Sequence, residues 1–429
     1  MRRTAVVAGI AAALGATALA AVLAPAGTPP TTAPAVAAAA PADPIARAQE
    51  RVRLVPGDWR AWAVLAVAYV ERGRATGDPT NYPRADEAVR RSLAVRPTGN
   101  GEVLVAQGAL ANARHEFAAA RRFALEATKL NGYDADAYAV LADAETQLGN
   151  VAAATAAVQR QLDLRPGLSA YARASYDLEL RGKVTEAADL MRQALEAAVS
   201  PADIGFCRVQ LGDLAWHAGD LAEATRQYDT GLAADPGSIA LRRGKARADW
   251  AAGRREAALA GYADITRRAP TPSYVLEYAE LLRAAGQDAE ADAQLELAVA
   301  GHRLFTAAGG VDGLTGTALA LAAGDPVTAL KEARAEWSRR THADVADNLA
   351  WALHHAGRDA EALRYARAAV DSGAKSAAYV YHLGVIELGL GRTGAAEADL
   401  AAALRLNPYF SPTDAPLART LLAGPEVTR

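Results

Sequence analysis

The residues of this chain that could carry chemistry are few, and their spacing does not match a catalytic site. The segment Gly389–Gly394 reads G-L-G-R-T-G, the G-x-G-x-x-G spacing of a dinucleotide-binding loop. Such a loop must follow a β-strand, whereas Gly391 belongs to a series of recurring glycines. Gly244 and Lys245 lack the other residues of a phosphate-binding loop, and no G-x-S-x-G or H-E-x-x-H motif occurs. The sequence predicts a protein that is not an enzyme and needs no cofactor.

The histidines and the single cysteine do not form a metal-binding pattern. His217 and His355 each stand two residues before a recurring glycine, so the repeat explains their positions better than a metal does. No carboxylate or second histidine recurs at the four-residue spacing of a helical zinc site. Cys207 cannot form an internal disulfide, and Arg208 alone is too little positive charge to activate its thiol. We expect no bound metal, and we expect Cys207 to be a small buried residue.

The composition is typical of a folded, helical protein. Of the 429 residues, 51% are hydrophobic and 22% are charged, which is enough apolar material for a substantial core. Alanine is abundant, and it is the best helix former with the least side chain to pack. The net charge of −3 offers no basic excess, so nucleic acid is not an expected partner.

The N-terminus has the pattern of an export signal. Arg2 and Arg3 precede an uncharged run from Ala5 to Ala24, which is weakly hydrophobic and rich in alanine, glycine and threonine. We interpret residues 1–26 as a cleaved signal peptide or, alternatively, as an N-terminal membrane anchor, since the run is long enough to cross a bilayer. Residues 27–43 form a Pro/Ala/Thr-rich linker. In both cases the rest of the chain is expected outside the cytoplasm, secreted or anchored by this segment.

A repeat of about 34 residues governs the remaining chain. Glycine recurs eight times at spacings of 33 to 38 residues, and an alanine follows each glycine by five residues. The glycines are Gly149, Gly182, Gly219, Gly253, Gly286, Gly324, Gly357 and Gly391. The pattern predicts helical hairpins, in which glycine ends the first helix in the left-handed conformation and the small alanine lets the second helix approach closely. Prolines at Pro166, Pro236, Pro270 and Pro408 then stop the second helix.

These features resemble the tetratricopeptide repeat family, whose unit is a helix-turn-helix of 34 residues. The unit from Gly205 to Ser238 carries the preferred residues Leu211, Gly212, Gly219, Ala224, Tyr228 and Pro236. The last unit carries Leu383, Gly384, Gly391, Ala396, Leu400, Ala403 and Pro408. The resemblance, to a member of an exported bacterial type, implies an all-α, right-handed superhelical solenoid of about ten repeats with capping helices at both ends.

The expected boundaries follow from the same pattern. We predict the solenoid over residues 44–429, with full repeats at about 58–408 and a C-terminal cap at 409–424. The units between 273 and 341 depart most from the pattern, and the second helix before Gly309 is expected to run long.

The resemblance also implies a binding surface, because the first helices of such repeats line an inner groove that contacts a protein or peptide. The residues of this chain at the corresponding positions are rich in aromatic and arginine side chains, which often anchor interfaces. They include Tyr176, Phe206, Trp216, Arg243, Arg247, Trp250, Trp351 and His354. We expect Arg243 and Arg247 to be solvated. The alternative for each tryptophan is that it packs between neighbouring helices.

Two functions stay open at this point. The first is a non-enzymatic protein-protein interaction scaffold outside the cytoplasmic membrane, which binds a peptide or partner protein in the concave groove. The second is a self-associating structural component of the cell envelope. In either case a membrane is contacted only through the N-terminal segment, if that segment stays uncleaved.

Overall fold

The repeat pattern produces a chain of helical hairpins. The computed structural model describes residues 43–423, and within that range it contains 22 α-helices and no β-strand. The first helices of the ten hairpins are α2 (Trp59–Thr76), α4 (Gly101–Ala113), α6 (Ala135–Gln147), α8 (Leu168–Leu180), α10 (Pro201–His217), α12 (Ile239–Ala251), α14 (Pro272–Ala284), α16 (Gly313–Ala322), α18 (Ala343–His355) and α20 (Ala377–Gly389).

The second helices pack against these along the chain. They are α3 (Asn81–Val95), α5 (Phe117–Leu130), α7 (Val151–Leu164), α9 (Val184–Glu196), α11 (Leu221–Ala234), α13 (Arg255–Arg268), α15 (Asp288–Ala307), α17 (Pro326–Arg339), α19 (Asp359–Asp371) and α21 (Thr393–Leu406). Single helices, α1 (Pro44–Leu54) and α22 (Asp414–Ala423), precede and follow the hairpins. The predicted all-α repeat fold, with about ten hairpins and a capping helix at each end, is confirmed.

Two compact units make up the described chain. One comprises the residues up to Arg173 together with Ala308–Gly310, and the other comprises Ala174–Ala307 and the residues from Val311 onward. We call the latter the C-terminal unit. It contains all eight residues predicted for the binding surface.

The turn inside each hairpin forms as the glycine pattern predicts. All eight recurring glycines have φ between +71° and +79°, the left-handed region that glycine adopts without strain. In the second hairpin His115 stands at the turn with φ of +58°. The alanines that follow the glycines by five residues are buried, from Ala154 to Ala396. The glycine and alanine pattern therefore sets where each helix ends and how closely its partner packs.

Local signals also set several helix starts. Ser200 accepts a hydrogen bond from the Asp203 N–H, while the Asp203 side chain accepts one from the Ser200 N–H, so both groups satisfy amides at the start of α10. Asp220 caps α11 in a similar way by accepting from the Glu223 N–H. As expected, α15 runs long, with 20 residues against 13 to 15 in the other second helices.

Two loops of the C-terminal unit touch hairpin turns that lie far away in the chain. The Asn407 side chain, at the end of α21, donates a buried hydrogen bond of 2.8 Å to the Trp216 carbonyl oxygen, 191 residues earlier. Gly373 contacts Gly182, which also lies 191 residues earlier in the chain. The two residues are so close that a Cβ on Gly182 would clash with the Gly373 carbonyl oxygen. We call these two contacts the seam. The equal separation shows that successive superhelical turns of this unit touch at their edges.

The N-terminal predictions fall outside the structure. The signal peptide or anchor at 1–26, and the linker at 27–43 except its last residue, lie beyond the described residues. In the part that is described, no helix is long and apolar enough to span a membrane.

Candidate partner-binding surface

Opposite charges on the first helices pair between neighbouring hairpins. Arg247 of α12 contacts Asp213 of α10, with 2.5 Å between Nη2 and Oδ1. Arg243 of α12 contacts Glu277 of α14, with 2.6 Å between Nε and Oε2. Each pair joins residues that are 34 positions apart, which is one repeat. The inner face of these hairpins therefore carries ion pairs in which each charge neutralises its neighbour.

Two tyrosines complete this buried network. The Tyr228 hydroxyl donates to Asp213 at 2.7 Å, and the Tyr262 hydroxyl donates to Glu277 at 2.9 Å. Burial alone would raise the pKa of Asp213, but the charges of Arg247 and Arg243 outweigh burial and hold that pKa below its ordinary value. Asp213 thus stays ionised and keeps its partners.

Glycines make room for the ring of Tyr228. A Cβ on Gly212 or on Gly244 would clash with that ring, so only glycine fits at either position. The ring is fully buried between α10 and α12. From the sequence we inferred only that Gly244 is not part of a phosphate-binding loop. In the structure it makes room for the Tyr228 ring.

The predicted surface residues divide into two groups by burial. Trp216, Arg243 and Trp351 are only 5–6% exposed. A side chain this buried offers a partner almost no surface, so the expectation that Arg243 is solvated is wrong. Arg247 is partly buried as well, with its guanidinium 4.5 Å above the ring of Trp216, so it too is held rather than solvated. Trp216 and Trp351 pack between neighbouring helices, which is the alternative that the sequence left open for each tryptophan.

The other members keep part of their surface. Tyr176, Phe206, Trp250 and His354 are half-buried. Trp250 packs beside the cluster around Tyr262. Their role in binding stays a prediction.

Trp351 is held in a cluster of histidines from two hairpins. His382 of α20 stacks on the Trp351 ring with 4.0 Å between centroids, and His354 stacks on it at 5.0 Å. The His382 Nδ1 lies 2.9 Å from Asp347, and the His354 Nδ1 lies 2.6 Å from Asp359. The indole therefore serves to join α18 to α20.

Burial shifts the pKa values of two titratable side chains of the C-terminal unit. Burial lowers the pKa of His355 to about 4, aided by its neighbours His354 and His382, so its imidazole is neutral near pH 7. Burial raises the pKa of the Cys207 thiol to about 12, which leaves the thiol protonated and unreactive. Among residues 43–423, no three histidine, cysteine or acidic side chains are placed to hold a metal ion. Gly391 of the G-x-G-x-x-G segment lies in the turn between α20 and α21, so a helix precedes it where a dinucleotide-binding loop would follow a strand.

The sequence held a signal for the ion pairs that our prediction missed. Asp213 and Arg247, and likewise Arg243 and Glu277, carry opposite charges at a separation of one repeat. Because equivalent positions of adjacent repeats lie side by side, such charges are within reach of each other. Searching for opposite charges one period apart would have identified the pairs. The seam has no comparable signal, because it joins loops of unrelated sequence.

Comparison with known proteins identifies the repeat. Residues 215–277 and 377–410 match family models described as tetratricopeptide repeat. Among solved structures, the human IFIT1 dimer with m7Gppp-AAAA is similar, with a TM-score of 0.50 and 15% identity over 77% of this chain and 76% of that chain. A thermophilic TPR protein of Thermus thermophilus gives a TM-score of 0.39 and 21% identity over 47% of this chain and 98% of that chain. No curated protein matches the chain. At these identities the likeness to IFIT1 concerns the fold alone.

Proposed function

We propose that this chain, a tetratricopeptide repeat protein, acts outside the cytoplasmic membrane and binds a segment of a partner protein on its inner surface. The repeat fold supports a protein-protein interaction scaffold, because it presents a long series of helices on which side chains of successive repeats form one surface. The location outside the cytoplasmic membrane and the binding of the partner on the inner surface are our proposals beyond this scaffold function.

The observation that carries the binding surface is the contrast between its charges and its aromatic residues. Arg243 and Arg247 of α12 are paired with Glu277 of α14 and Asp213 of α10, whereas Phe206, Trp250 and Tyr176 keep part of their surface. Aromatic side chains anchor interfaces through apolar contact area. The partner segment should therefore bind mainly through apolar side chains, and its binding should depend weakly on salt.

A site-specific cross-linker tests the surface. A photo-reactive amino acid at Phe206 should attach to the partner protein in intact cells, because this side chain is partly exposed on a first helix, α10. The matched control carries the same amino acid at Val327, which is 79% exposed at the start of a second helix, α17. Attachment from Val327 but not from Phe206 would place the partner on another face.

The identified partner then allows a measurement of affinity. Phe206→Ala should weaken binding by about tenfold or more, the loss of about 1.4 kcal/mol that an anchoring side chain contributes. Val327→Ala should leave the affinity unchanged. Equal affinity of the two variants would contradict the assignment of Phe206 to the surface.

The N-terminal segment supports the proposed location. Arg2 and Arg3 followed by the uncharged run to Ala24 are typical of a segment that directs export. A phosphatase that is active only outside the cytoplasm, fused after Arg429, should be active. The matched control lacks residues 2–26 and should be inactive. Equal activity of the two fusions, or activity of neither, would contradict export by this segment.

A further inference from the structure

Helix α15 (Asp288–Ala307) exposes an apolar face that the other helices do not. With 20 residues it is the longest helix within the described range. Leu297 is 51% exposed and Leu304 is 74% exposed, and no other described helix has two exposed leucines. The helix buries Ala291 and Ala298 on its opposite side, where it packs in its own hairpin. Much of the surface of each leucine thus contacts solvent rather than the rest of the repeat.

The exposed face has the spacing of a helix-pairing surface. Its apolar positions are Ala293, Leu297, Ala300, Leu304 and Ala307, which alternate in steps of four and three residues. This spacing keeps one stripe directed at a partner helix along its length. The alternation of alanine and leucine is also symmetric about Ala300, so the stripe reads nearly the same in both chain directions.

Charged residues at the edge of the stripe show the same symmetry. Glu296 and Arg303 flank it, and neither has an ion-pair partner among residues 43–423. Around a two-fold axis near Ala300, a second copy in antiparallel orientation would set its Arg303 beside Glu296. The same axis would set Leu304 of that copy against Leu297 and its Ala307 against Ala293. In a parallel two-fold pair the charged edges of the two copies would lie on opposite sides of the interface, so Glu296 and Arg303 would not meet.

We propose that α15 is a dimerisation helix that pairs with α15 of a second copy of this chain in antiparallel orientation. A two-fold interface must be complementary to itself, and the stripe meets this requirement in both its apolar residues and its charges. A 20-residue helix pair is about 30 Å long. Its interface is small for a permanent complex, so the dimer should form at about micromolar concentration. The pairing does not depend on what the inner surface binds.

Sedimentation of the full chain over a range of concentrations tests the association. The wild-type protein should shift from monomer to dimer, and the variant with both Leu297→Glu and Leu304→Glu should stay monomeric. Val327→Glu, which places the same charge at another exposed apolar residue, should leave the dimer intact. A wild-type monomer at every concentration up to the solubility limit would overturn the proposal.

Charge reversal tests the orientation. Glu296→Arg and Arg303→Glu should each weaken the dimer by about tenfold, because each brings like charges together. The double variant with both changes should regain wild-type association, since the pairs reform with reversed sign. Failure of the double variant to recover would rule out the antiparallel register.

A short thiol cross-linker tests the position of the axis. Ala300→Cys should cross-link to itself across the dimer, whereas the two copies of Ala293→Cys would stand about 21 Å apart and should not. The native Cys207 is buried and does not interfere. Equal cross-linking of both variants would indicate a parallel pair and overturn the proposal.

Discussion

The seam can be tested by replacing one hairpin glycine with alanine. Gly219 has φ of +75° and lies against the loop that follows α21. Gly253, the equivalent residue of the next hairpin, has φ of +79° with no atom within 4 Å of a Cβ placed there. The two substitutions, Gly219→Ala and Gly253→Ala, therefore impose the same backbone strain, and only the first perturbs the seam.

The expected magnitudes follow from these geometries. A left-handed alanine costs about 1–2 kcal/mol at either position. At Gly219 the new Cβ would also come within 2.8 Å of the Leu406 carbonyl oxygen, a backbone atom that can move only if the loop moves. Displacing the loop breaks the buried hydrogen bond from Asn407 to Trp216, which costs about 1–3 kcal/mol more. Gly219→Ala should therefore lower the free energy of unfolding by about 2–5 kcal/mol, against about 1–2 kcal/mol for Gly253→Ala.

Two measurements separate strain from seam opening. Urea unfolding followed by circular dichroism gives the loss of stability of each variant. Hydrogen exchange reports local opening, and the amides of residues 406–410 should exchange faster in Gly219→Ala than in Gly253→Ala or the wild type. If both variants lose the same stability and the exchange of residues 406–410 is unchanged, the seam does not stabilise the C-terminal unit and our reasoning is refuted.

Two further predictions concern buried charges. Arg243→Ala should destabilise the protein by about 3–5 kcal/mol in urea unfolding, because it leaves Glu277 buried without its cation. The control Arg267→Ala, which removes a 70% exposed arginine, should cost less than about 0.5 kcal/mol. Equal losses of stability in the two variants would contradict the role of the buried pair. Burial raises the pKa of Asp414 from 3.8 to about 6, so the folded protein favours the protonated carboxyl group. The contribution of Asp414 to the free energy of unfolding is therefore complete below about pH 4 and is lost as the pH rises through about 6. Asp414→Asn should abolish this pH dependence. The difference in unfolding free energy between variant and wild type should therefore change by about 2–3 kcal/mol between about pH 4 and pH 7. A difference that stays constant over this range would contradict the role of Asp414.

The hairpins could be predicted from the sequence because their signals are local. A glycine ends a helix through its own φ, and an alanine five residues later lets the next helix pack closely, so each unit is specified within its own repeat. The recurrence of Gly149 to Gly391 thus determined the hairpins and their turns. The long α15 was also foreseen, from the missing proline in that unit.

The exposure of the inner residues could not be predicted in the same way. Trp351 is buried because His382 of the next hairpin stacks on it, and Arg243 is buried because Glu277 lies one repeat further on. These partners were visible in the sequence, but their contact depends on how adjacent repeats are rotated.

The contacts of the seam are even harder to predict from the sequence. The contact of Asn407 with Trp216 depends on the small rotation between one hairpin and the next, accumulated over the hairpins from α10 to α21. A small change in that rotation, summed over the same number of repeats, would separate the two loops. The sequence by itself thus determined the repeat and its turns, because these depend on neighbouring residues. The tertiary structure alone decided which inner side chains stay accessible, because that depends on the winding of the whole C-terminal unit.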